Sequence, residues 1–277
     1  MARPDPRNAS RYWHAPGVPG MDLLQADFTT HDYAPHVHDS LVVAVTEIGG
    51  SEFHSRGRKD IAHPQALLVF NPSEPHSGRM GGSARWRYRS FYLAEPAIAH
   101  VLGAVGIDRP GYFTSNVVRD PDLVARFLAL HRLLDAEPGD ASLHRELLVH
   151  TFGDLLRRHG QAAGRMPKAP ADAGALAPVL EFVRDSHADS LTLEQMGAVA
   201  GLTPFQLIVA FKRTLGLTPH AYLTQLRLRA ALRRLQAGQP VVEAALGAGF
   251  YDQSALNKHF KRTFGMTPLQ YVHARAA

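Results

Sequence analysis

Phe211-Lys212-Arg213-Thr214-Leu215-Gly216-Leu217-Thr218-Pro219 returns 49 residues later as Phe260-Lys261-Arg262-Thr263-Phe264-Gly265-Met266-Thr267-Pro268. Seven of the nine positions are identical and the other two stay apolar, so one supersecondary unit is used twice. Each copy is preceded by the mechanics of a helix-turn-helix. In the first, Thr192 and Gln195 have the T-x-x-Q spacing of a capping box that opens a short helix. Gly197 falls where two helices must approach closely, and Gly201 suits a turn that needs positive φ. Thr203-Pro204-Phe205-Gln206 then opens a second helix with an N-cap, a proline at the first helical position and a glutamine at the third. In the second copy Ala245 takes the close-approach position, Gly249 the turn and Asp252 the N-cap. Between the units, Thr218-Pro219 starts a helix that runs to about Gln236, where Gly238 and Pro240 end it. Its residues, at roughly 1.5 Å each, span about 27 Å. With the flanking units added, that approaches the roughly 34 Å between successive major grooves on one face of DNA. The spacing predicts that one chain can address two adjacent grooves.

The charge is placed where such a partner would need it. The chain of 277 residues has 30 Lys and Arg against 25 Asp and Glu, a formal charge of +5. From residue 175 onward there are eleven basic and six acidic residues, which leaves nineteen of each in residues 1–174. A neutral front half is thus tied to a basic back half, and a basic domain favours a polyanion. The length suggests two domains, each able to bury a core. With no cysteine, disulfides and thiolate metal ligands are excluded. No run of eighteen apolar residues and no secretory apolar segment is visible, so no membrane span is expected and a cytoplasmic location is.

Residues 21–93 read as short strands, among them Leu41–Val45, Ala66–Phe70 and the alternating Trp86–Arg89. Gly49-Gly50, Gly57, His63-Pro64, Asn71-Pro72 and Gly81-Gly82 punctuate them, the spacing of a sandwich or small barrel. Residues 95–160 turn helical: Asp120-Pro121 is a start signal, followed by a stripe of Leu123, Val124, Phe127, Leu128, His131 and Leu134. A second stripe holds Leu143, Leu147, Leu148, Thr151, Phe152, Leu155 and Leu156. The stripes either cover the sheet or form a dimer seam. Residues 161–174, rich in Ala, Pro and Gly, read as a linker. The expected fold class is α+β in two domains: a strand-rich sandwich or barrel with flanking helices over 1–160, and an all-α domain over 175–277.

Gly249-Phe250-Tyr251-Asp252-Gln253-Ser254, followed by Phe260-Lys261-Arg262 and Gly265-Met266-Thr267-Pro268-Leu269-Gln270-Tyr271, resembles the signature of AraC-type transcription regulators. The likeness covers roughly residues 175–273. It implies two helix-turn-helix units bridged by a long helix on promoter duplex DNA. It further implies a cupin-like effector-binding domain with a helical dimerisation segment in front, over 1–160, and makes activation a stronger expectation than repression. Homodimerisation and contact with RNA polymerase are expected with it. By matching positions, the first recognition helix would offer Phe205, Gln206, Ile208 and Val209, and the second Gln253, Ser254, Ala255, Asn257 and Lys258. Leu207, Phe211, Leu256 and Phe260 fall on the opposite faces as core. Amides and lysine suit base edges, whereas Lys212, Arg213, Lys261 and Arg262 suit phosphates. The first helix departs from the family in carrying Val209 where arginine is common, and Gln206 is divided between capping and base contact.

In the front half, His36 and His38 are two apart, so on a strand both point to one face, and His76 arrives from another strand. With Tyr88 and Tyr92 they make a candidate effector pocket for a small molecule. Two other readings stand beside it, structurally satisfied histidines and a metal centre. The pattern resembles both cupin motifs, yet enzymatic cupins place a carboxylate soon after the first histidine pair. Here Leu41–Val45 follow, with Glu47 only later. No tightly held metal, no cofactor and no enzymatic activity are expected; no P-loop, nucleophile elbow or paired-carboxylate motif is apparent. A metal-dependent cupin enzyme and a constitutive DNA-binding protein with a dimerising front half are the rival functions.

Overall fold

The computed structural model describes residues 8–15, 18–108, 111–136, 141–161 and 173–276. It divides into two compact units, a front unit of Met1–Asp32 with Val37–Pro167 and a back unit of Lys168–Ala277 that also takes Tyr33–His36. The first half of the chain holds strands β1 (Asn8–His14), β2 (Met21–Phe28), β3 (Asp32–His36), β4 (Leu41–Ile48), β5 (Ser51–Ser55), β6 (Arg58–Ala62), β7 (Leu67–Phe70), β8 (His76–Arg79), β9 (Trp86–Leu93) and β10 (Val117–Val118). They form a six-stranded sheet in the order β1-β2-β9-β4-β7-β10 and a four-stranded sheet in the order β3-β8-β5-β6. Helices α1 (Glu95–Val105), α2 (Pro121–Asp135) and α3 (Ala141–His159) pack with the larger sheet.

Leu41–Val45 is apolar without alternation because β4 is buried on both faces. Leu41, Val43 and Val45 join Phe91 and Leu93 of β9 and Phe127, Leu130, Phe152 and Leu155 of α2 and α3 in the main core. On the other face Val42 meets Phe53 and Ala62 of the smaller sheet and Phe70 of its own. The helical stripes therefore cover the sheet, and in α2 and α3 they are core rather than a free dimer seam. Leu143, 45% exposed, is the member left outside. Asp120 caps α2 as its position implies, accepting the Leu123 N–H.

Gln161 pairs with Tyr112 of the front unit, and α4 (Ala173–Asp185) already begins at residue 173. The span read as linker is thus shortened at both ends, and its middle, 162–172, lies outside the described residues. The back unit continues with α5 (Leu193–Ala198), α6 (Pro204–Leu215), α7 (Pro219–Gln236), α8 (Val241–Gly247), α9 (Gln253–Phe264) and α10 (Pro268–Ala276). A Cβ on Gly197 would stand 2.3 Å from the Leu202 carbonyl oxygen, which is why the α5–α6 turn needs glycine there. Gly216 and Gly265 close α6 and α9 in the same left-handed cap, at φ 68° and 73°.

Candidate functional site

The second helix of each repeated unit has one buried and one open face. Leu207 and Phe211 on α6, and Leu256 and Phe260 on α9, are fully buried. Opposite them, α6 presents Phe205, 75% exposed, and Val209, 37% exposed, with Ile208 half-buried beside them. On α9, Ser254 and Lys258 are exposed and Gln253, Ala255 and Asn257 half-buried. Lys212, Arg213, Lys261 and Arg262 are all exposed in the last turns, where the negative end of the helix dipole also favours cations.

The two helices start differently. Gln206 closes a capping box: its Oε1 accepts the Thr203 N–H at 2.9 Å, and Thr203 Oγ1 accepts the Gln206 N–H at 3.3 Å. Only its amide NH2 then remains for a base. Asp252 caps α9 alone, accepting the Ala255 N–H at 2.7 Å, so the Gln253 side chain is not used for capping. Just before it, Tyr251 is 91% exposed, an aromatic that sequence reading passed over. Its motif position shows an aromatic residue, but only the fold shows it standing in solvent.

β3 neighbours β8 in the four-stranded sheet, and His38 follows β3. A ligand-capable atom from each of the three rings lies within 4.8 Å of the others. Tyr92 joins them, its ring 5.1 Å from that of His38, while Phe70 stacks on His76 at 3.8 Å. Burial pushes the His76 imidazole down to about 4, against the opposing bond to the Glu74 carbonyl, so the ring is neutral at ordinary pH. Burial likewise pushes the Tyr92 phenol up to about 12. Tyr88 lies four residues before Tyr92 on β9, roughly 13 Å along the strand, and packs on Trp86 and Phe28.

Glu47 is not part of this cluster. It shares the odd-numbered face of β4 with Val43 and Val45, towards the helices, and pairs with Arg89 at 3.1 Å and Arg132 at 2.9 Å. A carboxylate that sequence reading missed lies under the site instead. Glu74 Oε1 accepts from Ser55 Oγ, Arg56 Nε and Asn116 Nδ2, and its Oε2 from Arg56 Nη2, the Asn71 N–H and Asn71 Nδ2. Burial alone would raise its pKa, but these donors together hold the carboxyl below the usual range. The Glu74 carbonyl in turn accepts from His76 Nδ1 at 2.9 Å.

The family model of an AraC-like ligand-binding domain matches residues 18–152, and that of a helix-turn-helix domain matches residues 196–274. The chain belongs to the AraC family of transcription regulators. This AraC-type chain is 29% identical over 223 residues to the HTH-type transcriptional regulator YbfI of Bacillus subtilis, covering 79% of each. It is 34% identical over 97 residues to the HTH-type transcriptional regulator MtrA of Neisseria gonorrhoeae, covering 35% of this chain and 32% of MtrA. Unsaturated fatty acid-bound ToxT of Vibrio cholerae has the same fold, with a TM-score of 0.54 at 9% identity over 99% of this chain and 98% of ToxT. The AraC-type chain is therefore a DNA-binding regulator with a ligand-binding front domain. Among the described residues no helix is long and apolar enough to cross a membrane.

Proposed function

We propose that the protein reads promoter DNA with α6 and α9 in successive major grooves and takes a small-molecule effector among His36, His38, His76, Tyr88 and Tyr92. Tyr88 lies further along the same strand. The observation that carries the DNA reading is the duplicated helix with Phe211 or Phe260 buried on one face and Lys-Arg exposed at its end. Gln253, Ser254, Ala255, Asn257 and Lys258 are assigned to bases from α9, and Phe205, Gln206, Ile208 and Val209 from α6. Lys212, Arg213, Lys261 and Arg262 are assigned to phosphates.

The protein acts in the cytoplasm as a homodimer, without enzymatic activity, and contacts RNA polymerase as an activator rather than a repressor. Crosslinking the full chain to its genome, followed by sequencing, gives the sites; binding to the best of them is then compared with random duplex. Specific binding should weaken steeply with salt as phosphate contacts release counterions. A full chain that favours its best site no more than random duplex at moderate salt would end this reading.

A further inference from the structure

The turn between β7 and β8 is bonded to the candidate pocket on one side and to residues 113–116 on the other. We propose that Asn71 and Glu74 relay the state of that pocket to Gln161, the last described residue before 162–172. The proposal rests on the effector-site reading and deepens it, because it gives the route by which occupancy leaves the pocket.

On the pocket side the turn holds two histidines. The Ser73 N–H donates to the His38 carbonyl at 2.6 Å, and His76 Nδ1 donates to the Glu74 carbonyl at 2.9 Å. The His38 and His76 rings are 5.3 Å apart, and Phe70, which leads into the turn, stacks on His76 at 3.8 Å. A molecule that displaces either ring therefore pulls on the turn.

On the other side the same turn grips a remote stretch of chain. Asn71 Oδ1 accepts the Phe113 N–H at 2.9 Å, and its Nδ2 donates to the Phe113 carbonyl at 3.0 Å. Asn116 Nδ2 donates to Glu74 Oε1 at 2.7 Å and to the Val69 carbonyl at 2.8 Å. Arg56, the ion partner of Glu74, donates to the carbonyls of Phe113 and Thr114 at 2.7 and 2.8 Å. One residue earlier, Tyr112 exchanges two backbone bonds with Gln161, at 2.8 and 3.0 Å. Each step from His76 to Gln161 is thus a hydrogen bond or a short piece of chain.

Two features make this a relay as well as a rivet. Asn71 and Glu74 are buried, so a partner that moves away leaves a polar group unpaired out of reach of water, and the loss is passed on to the remaining bonds. Arg56 and Ser73 stand at positive φ, 52° and 61°, without being glycine. The surrounding bonds hold that backbone in place, and it has a more favourable conformation to relax into when they change.

The chain has no cysteine, so one introduced by His38→Cys can be alkylated alone with N-ethylmaleimide, which fills the pocket. Amide hydrogen exchange of the full chain is read with and without the label. Exchange should change by roughly threefold or more at residues 71–76 and also at Tyr112 and Gln161. Asn71→Ala and Asn116→Ala, each added to His38→Cys, remove one arm of the route. In them the change near the label should stay, while the change at Tyr112 and Gln161 should fall by about half or more. A variant that is merely less stable exchanges faster in both states and keeps the label-dependent difference. If alkylation unfolds the chain, His38→Ala against wild type makes the same comparison by emptying the space. A label effect confined to residues 71–76, or one that reaches Gln161 undiminished in both variants, would overturn the relay. The label is covalent, so this result does not depend on what the pocket binds. Occupancy of DNA by the labelled chain tests the effector reading separately: no change there, with the relay intact, removes the effector role of the pocket alone.

Discussion

Val209 and Lys258 occupy the same position in the two repeats, and they are the residues where the two readers of DNA differ most. Val209 offers only methyl groups, while Lys258 carries an exposed ammonium on the equivalent turn. Ile208 and Asn257 differ in the same sense, and Gln206 has its oxygen committed to its own cap. Base discrimination should therefore come mostly from α9. Lys258→Ala is expected to cost about 1–3 kcal/mol at the specific site and to relax preference at one base pair. A binding-site selection on wild type and variant measures this, and equal losses on specific and random duplex would reassign Lys258 to a phosphate. Gly249 makes a separate point at this scale. Its φ is 88°, and a Cβ would stand 2.7 Å from the Ala188 Cα. Gly249→Ala should cost about 1–3 kcal/mol from backbone conformation, and more from the contact. The helical signal at 222 nm in a urea titration reads it, and an unchanged midpoint would refute the account.

At the level of elements, the turn between β7 and β8 carries the largest single polar load near the candidate pocket. Each oxygen of Glu74 receives three donors, an arrangement only a carboxylate can satisfy. Glu74→Gln keeps the shape but turns one acceptor into a donor facing three others, and it strips Arg56 of its charge partner. Breaking a buried pair from one side costs roughly 3–5 kcal/mol, so this isosteric change should destabilise the front unit severely. The readout is built in: the two tryptophans of the chain, Trp13 and Trp86, are both in that unit. Tryptophan fluorescence during urea unfolding should shift to a much lower midpoint, whereas DNA binding by the back unit should persist at low temperature. An unchanged fluorescence midpoint would mean that the network is dispensable.

Over the whole molecule, the neutral front and basic back predict two different sensitivities, one to acid and one to salt. In the front unit His131 is fully buried between Arg89 Nη1 at 3.0 Å and the Leu24 carbonyl at 3.2 Å. Burial first, and then the Arg89 charge, push its imidazole down to about 4 from 6.5. Between those values the unfolded chain takes up a proton that the folded chain refuses. This stability is therefore complete above pH 6.5 and lost progressively as pH falls towards 4, by roughly 3 kcal/mol at the most. The fluorescence midpoint of the wild type should fall through that window, and His131→Gln should flatten the fall. A variant with the same pH slope would place the acid sensitivity elsewhere. Salt, by contrast, should act on DNA occupancy through the back unit, as the steep salt dependence of phosphate contacts requires.

The helix-turn-helix repeat was legible in the sequence because its determinants are local. Thr203, Gln206, Thr218, Asp252 and the glycines at 201, 216, 249 and 265 each act within a turn of chain, and the repeat supplies every reading twice. The buried Leu207, Phe211, Leu256 and Phe260 follow from the same helical period. Strand order is another matter. β9 lies between β2 and β4 although residues far along the chain separate them, and period-2 patterning carries no record of which strand pairs with which. That order, with the parity of β4, decides that Glu47 faces Arg89 and Arg132 instead of the histidines. The six donors on Glu74 come from Ser55, Arg56, Asn71 and Asn116, a meeting that no spacing rule contains. His36, His38 and His76 could be named from sequence as one candidate set because two share a strand period. Their closeness exists only once β3 lies beside β8, because side-chain contact across a sheet is set by pairing and register, which are non-local.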